Sequence, residues 1–338
     1  MAKKYKIFGT VHHIMHQTRL VNALKDEAEF YLCYNSWRQW QDPRFLRARP
    51  IPDNIKFVTH YEPNTYDFAI LHCDQQLCNP QILGKAAVYE EFNDLIQDIP
   101  KVVINHGSPV YPEFLRIDEM TDEDAENEAK KIIKDKVGNN LMIVNSHQAA
   151  KEWGWGYPII HGYNPDDWWD LEKEPRIFTA LSPGGLEIYY NRECMNEVSK
   201  LLEEQTGQML YWAKINCLGE ATNFDDYRTF LGKSLIYFDP SIRTPMNGAR
   251  TEAMLSGACV VQVEGGHDLP RFARNGENMI ILPNNPKEIV KTLYDLLEVN
   301  PEKAKKIGQA GKETAQRLFN EQTYRQQWLA FIHNELKI

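Results

Sequence analysis

The chain of 338 residues has room for about two domains, each with its own core. A content of 43% hydrophobic and 25% charged residues excludes a disordered chain. With 47 acidic against 38 basic residues and a net charge of −9, a broad nucleic-acid surface is not expected.

Met1-Ala2-Lys3-Lys4 leads straight into the strand-like KIFGTV, which does not read as a secretory leader, and no apolar run approaches a membrane span. Cysteines at 33, 73, 78, 194, 217 and 259 stand singly without a CxxC pair, the pattern of reduced thiols in a cytoplasmic protein. Short apolar runs then alternate with helical patterns, which predicts an α/β chain built of βα units with mostly parallel sheets. In the first half the strands are Tyr5–Phe8, Phe30–Cys33, Phe57–Thr59, Phe68–His72, Val102–Asn105 and Met142–Asn145, with helices over Thr18–Ala28, Gln81–Leu95 and Asp122–Lys136. Thr121 with Asp124 forms a capping start for the last of these. Asp74-Gln75-Gln76 lacks the second aspartate of a D-x-D metal motif, and no metal is expected.

The turn Tyr163-Asn164-Pro165 closes a first domain of residues 1–165. Trp153, Trp155, Trp168 and Trp169 are expected to wedge the hinge beside it. A second domain, 166–320, carries strands at Ile177–Leu181, Met209–Trp212, Ser234–Phe238, Cys259–Val263 and Met279–Leu282. Helices fall at Ile188–Glu204, Phe224–Leu231, Ala249–Leu255, Pro286–Leu297 and Pro301–Phe319. Residues 321–338 place Tyr324, Trp328, Phe331 and Ile332 at helical spacing, and periodicity leaves open whether this last helix caps its own domain or crosses to the first.

The stretch from Asp239 to Pro283 carries the most chemistry. An apolar strand ends in Pro240-Ser241, and Gly248 opens a helix bearing Glu252 on its first turn. Gly257 stops that helix before the strand Cys259–Val263, which runs into Gly265-Gly266. Strand, glycine, helix start, glycine, strand is how an open α/β sheet prepares the carboxyl edge of its strands for a phosphorylated ligand. A carboxylate there suits a ribose hydroxyl pair better than a phosphate.

Pro240, Ser241, Glu252, Ala253, Gly257, Val260 and Val261, followed by Gly265-Gly266 and Asn275-Gly276-Glu277-Asn278, resemble the donor-nucleotide motif of retaining glycosyltransferases with the GT-B fold. Family 4 is the nearest of these in pattern. The resemblance implies two Rossmann-like domains facing across a cleft, with the final helix crossing back, and a UDP- or GDP-sugar donor with no cofactor. It implies a hexosyltransferase acting with retention and without metal on an acceptor that the sequence does not identify. Glu252 would hold the ribose hydroxyls, and Met246, Asn247 and Gly248 would present backbone amides to the diphosphate. Arg192 and Lys214 are the nearest basic residues for phosphate contacts, with Gly184-Gly185 as a second phosphate loop. His106, in Asn105-His106-Gly107, would lie beside the reacting sugar, and His13 or His16 near donor or acceptor. The pattern's first glutamate is replaced by Thr244, which leaves a second reading open: a catalytically degenerate subunit that only binds a nucleotide sugar.

Overall fold

The computed structural model describes residues 4–10, 14–33, 49–79, 84–111, 116, 120–180, 187–212 and 223–338, of which 187, 188 and 212 are described in backbone only. These form two compact units. One holds the described residues up to Gly162 together with Gln322–Ile338, and the other runs from Tyr163 to Glu321.

The first unit is built on a sheet of β1 (Tyr5–Gly9), β2 (Ala28–Cys33), β3 (Ile55–Val58), β4 (Phe68–Cys73), β5 (Lys101–Asn105), β6 (Leu141–Val144) and β7 (Tyr157–Pro158). All pairings are parallel, in the order β3-β2-β1-β4-β5-β6-β7. The side-chain period of two sends Ile7, Ile70, Val102 and Ile143 to one face and Phe8, Leu71, Val103 and Val144 to the other. Both faces are apolar because both are covered, which is the rule for parallel sheets. The first face is covered by the helices Ile14–Ala23 and Glu321–Phe331, through Leu20, Tyr324, Trp328 and Phe331. Arg325 pairs with Glu27, and Gln327 Oε1 accepts the Ile160 N–H at 3.0 Å, which pins the C-terminal helix to this unit. The cap of the helix Asp122–Val137 is the reciprocal Thr121/Asp124 box. Tyr157–Pro158 was not expected to be a strand. It has two residues, follows Gly154 and Gly156 at positive φ, and sits on the sheet edge, the place where a proline is tolerated.

The second unit is a sheet of β8 (Glu174–Thr179), β9 (Leu210–Trp212), β10 (Ser234–Asp239), β11 (Cys259–Val263) and β12 (Ile280–Leu282). It is also parallel throughout, in the order β12-β11-β10-β8-β9. Ile177, Ile236, Val261 and Leu282 face an aliphatic core with Met195, Val198 and Leu293. Phe178 and Tyr237 face the opposite way, their rings packed together and Phe178 against Phe230. The single helix expected over Ile188–Glu204 is divided at Asn191, whose φ of 47° is left-handed, giving Glu187–Tyr190 and Arg192–Thr206. Trp153 donates its indole N–H to Gly107 O at 3.0 Å inside the first unit, while Trp168 packs on Tyr163, Phe224 and Tyr227 inside the second.

The helix Pro301–Leu318 approaches the β11 entrance so closely that a Cβ on Gly308 would stand 2.3 Å from the Gly257 carbonyl oxygen. Gly308→Ala gains roughly 1 kcal/mol of helix propensity, but that gain is outweighed by a backbone clash of the size that overpacking sets at about 1–3 kcal/mol. The expected outcome is a lower urea midpoint; an unchanged or raised midpoint contradicts the contact.

All five described cysteines are buried free thiols, and among the described residues no helix is long and apolar enough to cross a membrane.

Candidate functional site

In a doubly wound parallel sheet, ligands collect at the carboxyl edge where the strand order reverses. In the second unit the reversal lies between β8 and β10, and the chain leaving β10 forms the loop 240–247 that feeds the helix Gly248–Leu255. Asp239, the last residue of β10, anchors that loop. It is fully buried, opposite Gln262 of β11. One carboxylate oxygen accepts from the Ser241 N–H at 3.0 Å and the Ser241 hydroxyl at 2.6 Å, and the other accepts from Asn247 Nδ2 at 2.9 Å. Asn247 in turn caps the helix, its Oδ1 accepting the Ala249 N–H at 3.0 Å. Gln262 Nε2 donates to the Asp239 and Ser241 carbonyls at 3.1 and 2.8 Å, and its Oε1 accepts from Arg250 Nη1 at 3.3 Å.

Arg250 completes the network from the helix. Its guanidinium is buried, 5.0 Å from the Phe272 ring centroid, and a Cβ on Gly266 would come within 3.2 Å of Nη1, so glycine there lets the loop lie over the charge. Burial pushes the Asp239 carboxyl up and the Arg250 guanidinium down, and each opposes the other's shift through its charge. Arg243 and Met246 hold φ of 53° and 31°, left-handed values in non-glycine residues. Each costs of order 1–3 kcal/mol and persists because the network over-determines the loop.

Glu252 is the fifth residue of its helix, so it lies past the first turn, which has no acidic residue, and the helix dipole does not account for it. It is fully buried, and its Oε2 accepts the Tyr227 hydroxyl at 2.8 Å. Tyr227 comes from the helix Phe224–Lys233 and is held between Trp168 and Phe178. Thr244 donates its hydroxyl to the Tyr189 and Ile242 carbonyls at 3.1 and 3.2 Å.

In the first unit the carboxyl ends of β4, β5 and β6 carry His72, His106 and Asn145. His106 follows β5, its N–H continuing the ladder to Cys73 O at 2.9 Å. His72 Nδ1 and His106 Nε2 lie 2.9 Å apart, and Asn145 Nδ2 donates to His106 Nδ1 at 3.3 Å. Both ring nitrogens of His106 are therefore engaged within the unit. His16, from the helix Ile14–Ala23, stands edge-on to His106 and to His161, with ring centroids 4.7 and 4.4 Å apart. Asp74 is occupied as the cap of the turn Gln75–Cys78, accepting from Gln76 N at 2.8 Å.

Comparison with solved structures places the whole chain. Sucrose-phosphate synthase of Thermosynechococcus elongatus aligns with a TM-score of 0.66 over 99% of this chain and 100% of that one, at 13% identity. HepE of Anabaena, in complex with UDP and glucose, aligns at 0.62 over 96% and 98%, with 15% identity. A glycosyltransferase of Rickettsia africae aligns at 0.62 over 99% of each chain, with 12% identity. The fold is GT-B. Comparison with protein-family models gives no match, and comparison with curated protein sequences gives none.

On this GT-B frame the second unit gathers Thr244, Met246, Asn247, Gly248 and Glu252 around one loop and helix start, with Arg192 half-buried at the first position of the helix Arg192–Thr206. Lys214, Gly184, Gly185 and His13 lie outside the described residues. His106 and His16 belong to the first unit. The sequence reading missed Tyr227, Asp239, Arg250 and Gln262, which meet only across strands and helices, and His72, Asn145 and His161. For Asp239 a signal was available: a carboxylate closing an all-apolar strand immediately before a Pro-Ser turn.

His161 is buried, and burial followed by the nearby Arg19 charge holds its imidazole well below the usual range. Its folded pKa thus lies under the unfolded value of about 6.5, and below that pH the unfolded chain binds the extra proton. The contribution is complete above about pH 6.5 and is lost as pH falls, at up to about 1.4 kcal/mol per pH unit. Urea midpoints measured from neutral pH to about pH 5 should fall less steeply in His161→Phe than in the wild type. Parallel curves contradict this assignment.

Proposed function

We propose that the chain is a retaining, metal-independent glycosyltransferase of family 4 type, acting in the cytoplasm to move a hexose from a UDP- or GDP-sugar to an acceptor hydroxyl. The observation that carries the reading is the loop 240–247 at the strand-order reversal of a GT-B sheet, braced from below by Asp239, Gln262 and Arg250, with Glu252 set behind it on Tyr227. HepE, one of the solved structures of this fold, is known in complex with UDP-glucose, which supports a nucleotide-sugar donor.

In this reading the helix Gly248–Leu255 directs its amino end at the leaving diphosphate, which its dipole and unpaired N–H groups stabilise. Glu252 takes the ribose hydroxyls. Arg192 supplies charge to the diphosphate, and the acceptor proton passes to the departing phosphate oxygen on the same face, so no enzyme nucleophile forms. Purified protein is to be incubated with a panel of UDP- and GDP-hexoses, and the anomeric configuration of product read by proton NMR. Release of the sugar with its original configuration is the expected result. Inverted product removes the retaining assignment.

A second reading, a nucleotide-sugar-binding subunit without turnover, is favoured by the Thr244 hydroxyl, already committed to two backbone carbonyls, and by the engaged ring nitrogens of His106. Thermal stabilisation by UDP or GDP without donor hydrolysis selects it. Absence of both stabilisation and hydrolysis sinks both readings.

A further inference from the structure

We propose that the cavity enclosed by the histidines of the first unit is a fixed water site, and that the water joins His161 to the hydrogen-bonded chain ending on His106 and His72. The cavity measures about 10 Å3 and is lined by His16, His72, His106, Asn145, His161 and Trp328 among others. That is room for a single water and nothing larger.

His161 supplies the requirement. It is 4% exposed, and neither of its ring nitrogens has a hydrogen-bond partner among the described residues. A neutral imidazole presents one N–H donor and one lone pair, and a buried group of that kind is stable only when both are met. Protonation is no escape, because burial and the Arg19 charge disfavour the cation. Water both donates and accepts, so one molecule meets one of the two His161 ring nitrogens, whichever tautomer is present, together with a second polar group of the lining. A metal ion does not fit, since among the described residues no group of three metal-ligating side chains has the geometry to hold one.

The remaining members of the chain have a fixed sense. Asn145 Nδ2 donates to His106 Nδ1, so that nitrogen carries no proton. His106 then bears its proton on Nε2 and donates it to His72 Nδ1, 2.9 Å away, which leaves His72 protonated on Nε2 as well. His16, edge-on to both His106 and His161, closes the ring of side chains around the cavity. Asn145 and His72 thus occupy both His106 ring nitrogens, and the water meets this chain at another polar atom of the lining and acts on the His106 ring plane only through its neighbours. A consequence for sugar transfer, with His161 as a positioning residue, rests on the function proposed above, whereas the water site itself does not.

The test uses the full chain with neither donor nor acceptor present. A crystal structure that resolves single waters is expected to show one within hydrogen-bond distance of a His161 ring nitrogen and of a second polar lining atom, and a dry cavity overturns the proposal. Nitrogen-15 NMR of the imidazoles is expected to report His106 and His72 as neutral Nε2–H tautomers. In His161→Phe, which fills the cavity with an apolar ring, the water should vanish and the His106 ring resonances should shift. In His161→Gln, which keeps a donor and an acceptor, the water and the wild-type His106 signals should remain, which also guards against misfolding of the phenylalanine variant. Unmoved His106 signals in a folded His161→Phe overturn the link to His106. Because no sugar enters these measurements, their failure leaves the transferase reading intact, and a protein without transferase activity leaves the water site intact.

Discussion

Asp239→Ala is expected to destabilise the second unit by about 3–5 kcal/mol, the cost of breaking a buried charge pair from one side. Four interactions end at that carboxylate: the Ser241 N–H, the Ser241 hydroxyl, the Asn247 amide, and the compensating field it gives Arg250. Removing it leaves a guanidinium that is 1% exposed with less opposing charge, and frees the loop that carries two left-handed non-glycine residues. Against a total stability of about 5–15 kcal/mol such a loss is large, and urea unfolding read by tryptophan fluorescence will report it. The double variant Asp239→Ala/Arg250→Met supplies the sharper check. If the cost is the uncompensated charge, removing the charge as well restores part of the stability, and the two effects are strongly non-additive. A single-variant loss under about 1 kcal/mol, or strict additivity in the double variant, rejects the network as the brace of the loop.

The sheets were legible because parallel strands covered on both faces are written as short, largely apolar runs: KIFG, FAILHC, KVVIN and SLIYFD stand out without any partner being known. The GT-B class was legible for a different reason, the ordered spacing from Pro240 to Gly266, and the solved structures bear out that class. What stayed hidden was contact across elements. His72 and His106 are separated by 34 positions and meet because β4 and β5 are neighbours. Asp239 and Gln262 are cross-strand partners, and the Tyr227–Glu252 bond spans two helices. Backbone exceptions also escaped, since Asn191 in the left-handed region interrupts an otherwise periodic helical pattern without a glycine or proline to announce it. The motif implied a carboxylate on the first turn of its helix. The helix begins at Gly248, which sets Glu252 one turn deeper and under cover.

Glu252 carries the sharpest test of the proposed function. If it grips a nucleotide pentose, two charge-assisted hydrogen bonds are lost in Glu252→Ala, and at about 1.5–3 kcal/mol each the affinity for UDP or GDP should fall by roughly a hundredfold or more. Glu252→Gln keeps the volume and an acceptor for the Tyr227 hydroxyl, so its fold should survive while the charged grip is gone. Tyr227→Phe removes a bond that orients the carboxylate and is expected to weaken nucleotide binding by about tenfold, without changing which nucleotide is preferred. Calorimetry with a ribonucleotide and its 2′-deoxy counterpart separates pentose recognition from general damage. The wild type should prefer the ribonucleotide, and Glu252→Gln should bind the two alike. A structural carboxylate behaves otherwise: Glu252→Gln would lower the melting temperature yet keep the ribose preference of the wild type, and that outcome would remove Glu252 from the donor site and with it the main support for a nucleotide-sugar substrate.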